Sequence, residues 1–206
     1  MSVALFSTAY FPPIAYVAEL LRHTEVLIEA KETFPKQTYR NRMLIMTAEG
    51  IRALTVPTLR TNHSRTEEVG IDYKERWNVV HLRTLTAAYA ASPYWLYYQD
   101  DIEQLLMTRH ERLLDLNGAA LAWVLQKLKV DCPVRLTEDF LVPAGEPWDY
   151  RYWFSPKTAL PTEAFPPYYQ VFDDRLPFAP NLSILDLLMN LGPEAIEYLH
   201  KVSPSP

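Results

Sequence analysis

The spacing of the apolar residues changes along the chain and predicts the order of its elements. Residues 3–6 form a short continuous apolar run, as expected of a strand buried on both faces. Residues 10–13 contain two adjacent prolines and predict a rigid loop. Helical spacing follows at Ile14, Val17, Ala18 and Leu21, and residues 25–29 predict a second strand. A strand, a helix and a strand in this order are typical of a parallel α/β sheet.

A hairpin is predicted next. Two β-rich stretches, residues 36–46 and 51–57, are joined by a turn that contains Gly50. The polar residues 60–68 predict a mobile loop, and residues 69–73 alternate briefly as a short strand does.

The second half of the chain is predicted to be mainly helical. Apolar residues recur at helical spacing within residues 80–89, 96–107 and 113–130. Residues 132–180 are rich in proline and aromatic residues without a clear period, which predicts irregular structure around the core. Asn181 is predicted to cap a helix that Gly192 ends, and Pro193 to open a last short helix. The expected fold is α/β: a small parallel or mixed sheet with a β-hairpin, flanked by helices, with a helical C-terminal half.

Composition narrows the class of protein. The 206 residues are 49% hydrophobic and 22% charged, which predicts one globular domain over residues 1–206. A formal net charge of -5 argues against nucleic acid as the main partner. The longest apolar runs, such as residues 119–125, are far shorter than the roughly 20 residues of a membrane span. The N-terminal residues lack the pattern of a signal peptide, which favours the cytoplasm. Cys132 is the only cysteine, so no intrachain disulfide can form.

The loop after the first strand is one candidate binding site, because ligands of open α/β sheets bind beyond the carboxyl ends of strands. Ser7, Thr8, Tyr10 and Tyr16 offer hydroxyl groups, and backbone N–H groups from Ile14 onward could hold a phosphate or carboxylate. The glycines of Rossmann and P-loop motifs are missing. The alternative is a hydrophobic plug.

Residues 36–42 are the densest polar segment. In a strand, one face would carry Lys36, Thr38, Arg40 and Arg42, and the other would carry Gln37, Tyr39 and Asn41. Guanidinium groups bind phosphate bidentately, so the cationic face favours a sugar phosphate or nucleotide ligand. The alternative is a solvated edge strand whose charges prevent aggregation.

His81 is a candidate general base. It follows Trp77 by four residues, so both lie on one helix face, and Asp72 or Glu29 could orient the imidazole. A structural histidine is the alternative. The other histidines have no ligand-like spacing, so neither a metal nor another cofactor is predicted. No serine nucleophile motif is present, and no histidine adjoins Cys132, which disfavours covalent catalysis.

Several segments together resemble the WbqC-like protein family. The resemblance is carried by residues 8–16, residues 36–42, Trp77 with His81, residues 89–98 around Ser-Pro-Tyr, and residues 180–188 followed by Gly192-Pro193. It extends over nearly the whole chain. Ser7-Thr8-Ala9 stands where the family usually has a Gln-Pro pair before Tyr-Phe-Pro, so no role of that glutamine is carried over.

The resemblance implies a bacterial enzyme of surface polysaccharide synthesis, including O-antigen and lipopolysaccharide. The expected activity is transfer of an acyl or aminoacyl group to a nucleotide-activated amino sugar, so the expected partners are a sugar nucleotide and an acyl donor. The implied catalytic residues are His81 and Tyr10. The implied substrate-binding residues are Lys36, Arg40, Asn41, Arg42, Tyr16, Trp77 and Asn181.

Two points stay open in the sequence. The alternative function is a non-catalytic accessory protein that binds a sugar nucleotide or a carrier. Exposed aromatic residues within residues 94–98 would indicate a partner surface for it. A helix cap is the alternative role of Asn181, and a homodimer is compatible with the sequence.

Overall fold

The computed structural model describes residues 2–142, 149–158 and 160–203. Its strands and α-helices follow in the order β1 (Val3–Ser7), α1 (Ile14–Leu20), β2 (Glu25–Glu29), β3 (Arg42–Thr47), β4 (Gly50–Thr55), β5 (Thr58–Leu59), β6 (Gly70–Ile71), α2 (Trp77–Tyr89), α3 (Trp95–Met107), α4 (Leu113–Lys127), β7 (Val134–Leu136), α5 (Ile184–Leu191) and α6 (Ala195–Lys201). The predicted α/β class is confirmed: a small parallel sheet, an antiparallel hairpin and a helical C-terminal part. No described helix has both the length and the apolar character needed to cross a membrane.

The parallel sheet has the strand order β1-β2-β7. Phe6, Ile28 and Leu136 stand side by side in its register. Phe6 and Ile28 are buried because β1 and β2 are apolar strands in the core, whereas Leu136 is exposed. Strand β7 falls in the segment that was expected to be irregular. Its three residues alternate apolar, polar, apolar, but a run of three is too short to predict a strand, and all three are exposed.

The loop before α1 is a buried plug, and the backbone N–H groups from Ile14 to Val17 are already bonded. Tyr10, Phe11 and Ile14 are fully buried. The N–H of Ile14 donates to the Leu182 carbonyl at 3.0 Å, and Ala15 N–H donates to Asn181 Oδ1 at 2.9 Å. The segment before α5 therefore accepts hydrogen bonds from the first backbone N–H groups of α1. This arrangement excludes the anion site that the N–H groups had suggested.

Helix α5 is capped by Ser183, whose Oγ accepts a hydrogen bond from Leu185 N–H at 3.3 Å. The prediction that Asn181 caps this helix is wrong, because the Asn181 side chain is bound to α1 instead. Gly192 ends α5 with a positive φ of 54°, as predicted.

The hairpin of β3 and β4 is confirmed, but β3 begins only at Arg42. Residues 36–41 form bends and turns, and Gln37 has a positive φ of 58° that no strand allows. Residues 60–68 include a 3₁₀ turn at Thr66–Glu68. Backbone hydrogen bonds from Phe34 N–H to Ser64 O and from Thr66 N–H to Glu32 O join this segment to the chain after β2.

Candidate functional site

Helix α2 places Trp77 and His81 one turn apart on its buried face, as the sequence predicted. Tyr10, from the plug, lies with its hydroxyl 3.0 Å from Nδ1 of His81. The Trp77 and His81 rings meet edge to face with centroids 5.1 Å apart. Three of the predicted residues therefore come together in the interior.

The electrostatics of this trio favour neutral groups. Burial lowers the pKa of His81 to about 4; a hydrogen bond with the Thr55 main chain opposes this shift, and the charge of Arg52 adds to it. Burial also raises the pKa of Tyr10 well above its ordinary value. At neutral pH both side chains are uncharged. Asp72 and Glu29 do not orient the imidazole: Asp72 accepts from Lys74 N–H, and Glu29 binds a different cation.

A cavity of about 240 Å³ borders His81 and Trp77. Its wall also includes Arg52, Ala53, Leu54, Thr55, Pro57, Glu75, Arg76 and Val80. The N-terminus of α2 opens onto it, and no side chain caps this helix. Arg52 and Arg76 are exposed, and within the described residues neither forms an ion pair. The cavity therefore combines two guanidinium groups with the positive end of a helix.

The predicted cationic strand face does not exist. Lys36 is exposed ahead of the hairpin, whereas Arg40 is buried. Nε and Nη2 of Arg40 donate to the two carboxylate oxygens of Glu32 at 2.7 and 2.9 Å. A third bond runs from Arg40 Nη2 to the Arg151 carbonyl. Its guanidinium is thus engaged inside the protein.

Two other predicted binding residues, Asn41 and Tyr16, have structural contacts. Asn41 Nδ2 donates to the Val56 carbonyl at 3.0 Å, and the Tyr16 hydroxyl donates to the Ser7 carbonyl at 2.8 Å. Arg42 is half-buried at the start of β3, and its Nε has no partner among the described residues.

A buried charged network lies at the carboxyl end of β2. The sequence did not predict it. Arg151 donates to Glu29 Oε2 at 3.0 Å and pairs with both oxygens of Asp149. Glu29 also accepts from the Thr137 hydroxyl and from Leu141 N–H. The network fastens the chain after β7 to the parallel sheet. Arg151 lies in a stretch without periodicity, so no pattern marked it.

A cleft of about 760 Å³ lies between α4 and the parallel sheet. Thr8 and Asn117 line it, with Asn117 only 1% exposed. Asn117 Nδ2 donates to Thr8 Oγ1 at 3.0 Å and to the Arg40 carbonyl at 2.8 Å. The sequence could have indicated Asn117, because it is a polar residue on the leucine-rich face of a predicted helix.

Metal-ligating side chains do not gather in the described part of the chain. No group of three or more His, Cys, Asp or Glu residues there could hold an ion.

The fold and these cavities define a class, an α/β protein with a short parallel sheet and a plug-like loop between β1 and α1. Residues 8–150 and 159–198 match the WbqC-like protein family, and the chain belongs to that family. It is 25% identical to the "Uncharacterized protein Rv1507c" of Mycobacterium tuberculosis (strain ATCC 25618 / H37Rv) over 92% of this chain and 91% of that protein. No solved structure shows a significant match.

Proposed function

We propose that this protein is a transferase that modifies a nucleotide-activated sugar in surface polysaccharide synthesis. The chain belongs to the WbqC-like family, and the role in surface polysaccharide synthesis is what the resemblance to this family implies. The observation that carries the proposal is the cavity beside His81, where Arg52, Arg76 and the uncapped N-terminus of α2 meet.

The phosphates of the nucleotide sugar would bind at the start of α2. Free N–H groups and the helix dipole favour an anion there, and guanidinium groups bind phosphate bidentately. Arg52 and Arg76 are exposed and free of ion pairs within the described residues, whereas Arg40 is occupied by Glu32. Glu75 also borders the cavity and repels phosphate, so the two arginines must outweigh one carboxylate. Arg52 and Arg76 are therefore the proposed phosphate contacts, in place of residues 36–42.

His81 would accept the proton of the attacking group. A neutral imidazole at the cavity wall can take the proton that a sugar amine or hydroxyl loses as it bonds to the acyl carbon, provided that substrate binding breaks the hydrogen bond between the ring and the Thr55 main chain. The leaving group of the donor then departs with the electron pair of the broken bond. Tyr10 holds the imidazole by its contact with Nδ1, and Trp77 offers an aromatic wall for a sugar or base.

The test is a product assay by mass spectrometry with nucleotide amino sugars and acyl thioesters. His81→Gln is expected to retain nucleotide-sugar binding and to lose at least about 100-fold in turnover, the usual scale of general-base catalysis. His63→Gln is the matched control, because His63 is exposed and does not line the cavity. Full turnover by His81→Gln would remove the role assigned to this residue.

A second candidate is an accessory protein that binds the sugar nucleotide without chemistry. The contacts of His81 favour this candidate, because the ring is already engaged by two hydrogen bonds and is less able to take a proton from a substrate. Tyr10 contacts Nδ1, and the Thr55 main chain forms the other bond. Leu96 and Tyr97 are 74% and 75% exposed on α3 and could form a partner surface, whereas Trp95 and Tyr98 belong to the core. Saturable binding without product from any donor would support this candidate.

A further inference from the structure

The cleft between α4 and the sheet is large enough for a small molecule. It is open to solvent on one side, and its volume of about 760 Å³ falls in the size range of small-molecule sites. Gly118 and Ala122 of α4 line it. A Cβ added to Gly118 would meet nothing within 4 Å, so packing does not require glycine at this position. A glycine inside a helix is unfavourable, and here its absent side chain leaves the cleft open.

One end of the cleft is polar and incompletely bonded. The Arg40 carbonyl can only accept, so the group that Asn117 directs to it must be the amide NH₂, which fixes the orientation of the side chain. Asn117 Oδ1 is buried and has no partner among the described residues. Thr8 Oγ1 accepts from Asn117, and its own proton has no acceptor in the described part of the chain. The pair therefore presents one free acceptor and one free donor.

The charges around the cleft disfavour an anionic ligand. His110 lines it, but none of the described lining residues is Lys or Arg, and Asp115 and Asp131 are acidic. A phosphate or carboxylate in this cleft would be desolvated without an ammonium or guanidinium group to pair with it. The remaining wall is mainly apolar and includes Ile28, Leu125 and Leu136.

We propose that this cleft binds an uncharged ligand whose hydroxyl or carboxamide group pairs with Thr8 and Asn117 and whose apolar body lies along α4. A carboxamide donates to Asn117 Oδ1 and accepts from the Thr8 hydroxyl, which completes both bonds. This site is separate from the cavity beside His81, and it does not depend on the proposed transferase activity.

The test is an NMR titration of the full chain with three probes of equal chain length: hexanamide, hexanoate and hexylamine. Hexanamide is expected to bind saturably and to shift the amide signals of Gly118 and Ala122. Hexanoate and hexylamine are expected to bind at least about tenfold more weakly, since neither completes both bonds and burying a charge is unfavourable. Asp115 and Asp131 are exposed, so water weakens their attraction for the ammonium group of hexylamine. Absence of hexanamide binding, or equal or tighter binding of either charged probe, would overturn the proposal.

Two variants locate the probe. Gly118→Leu should abolish hexanamide binding by filling the cleft from α4, whereas Gly118→Ala, the matched control, should leave most of it. Thr8→Val keeps the shape of the side chain and should weaken hexanamide about tenfold at most, the effect of one lost hydrogen bond. Melting curves show whether each variant is folded. Unchanged affinity in Gly118→Leu would place the probe elsewhere and refute the site.

Discussion

The hydroxyl of Tyr10 lies 3.0 Å from Nδ1 of His81, and the contact joins the loop after β1 to helix α2 across 71 positions of sequence. Both side chains are buried, and burial lowers the pKa of His81 to about 4. The imidazole is therefore neutral in the folded protein over the whole physiological range.

The first prediction concerns the dependence of stability on pH. The pKa of His81 in the folded protein lies below the value of about 6.5 of an unfolded histidine, so the unfolded chain takes up its proton first as the pH falls. The stabilisation is complete above about pH 6.5 and is lost toward pH 4. Between pH 7 and pH 5, this residue should reduce the free energy of unfolding by about 2 kcal/mol.

Urea unfolding at several pH values measures this effect. His81→Gln should lose about 2 kcal/mol less than the wild type between pH 7 and pH 5, while His63→Gln should behave as the wild type. The carboxylates are the same in the wild type and in both variants, so their contribution to the pH dependence cancels in the difference. Equal pH dependence in His81→Gln and the wild type would show that His81 is not held neutral.

The second prediction concerns the buried Arg40–Glu32 pair. Removal of one partner leaves an unpaired buried charge, so Arg40→Met or Glu32→Met should each destabilise by about 3 to 5 kcal/mol. The double variant should be more stable than either single variant, because neither charge remains. Lys36→Met, at an exposed position, should change stability by less than about 0.5 kcal/mol in the same denaturation assay. Additive losses in the double variant would contradict a coupled pair.

The third prediction compares two glycines. Gly192 has a positive φ of 54°, and an added Cβ would overlap the ring of Tyr94, so Gly192→Ala should destabilise by about 2 kcal/mol or more. Gly118 lies within a helix beside open space, and Gly118→Ala should stabilise by about 0.5 to 1 kcal/mol. Thermal melting of the two variants should thus shift in opposite directions, and a shift of the same sign would refute this description.

The fourth prediction separates two caps that are close in sequence. Asn181→Ala should accelerate hydrogen exchange at the Ala15 amide, which loses its acceptor, and leave the Leu185 amide protected. Ser183→Ala should do the reverse. Each variant should lose about 1 kcal/mol of stability, the usual value of a cap. Faster exchange at Leu185 in Asn181→Ala would reinstate Asn181 as the cap of α5.

The sequence predicted those elements that carry their own pattern. Strands β1 and β2 and helices α1 to α4 have apolar residues at the spacing of their structure, and Gly192 marks the end of α5. Strand β7 was missed because parallel pairing with β2 defines it, while its own residues are exposed. The strand assignment of residues 36–41 failed because the β-rich composition does not reveal that Gln37 adopts a turn conformation.

The site was predictable where its residues share one element. Trp77 and His81 were found through their helical spacing. Tyr10 was found through its place in the loop after the first strand, and its catalytic role through the family resemblance. Arg52, Arg76 and Asn117 were missed, because only tertiary contacts bring them to a cavity or cleft. The charge of Arg40 was noticed, but its partner Glu32 could be assigned only from the fold.

The most direct test of the proposed function is the melting temperature of the protein with nucleotide sugars, measured for the wild type and for the Arg52→Ala/Arg76→Ala double variant. A nucleotide sugar at about 100 times its dissociation constant should stabilise the wild type by roughly 2.7 kcal/mol. The double variant should lose this stabilisation, and Arg175→Ala, at an exposed position outside the cavity wall, should keep it. An equal shift in the double variant, or no shift with any nucleotide sugar, would contradict the binding site beside His81.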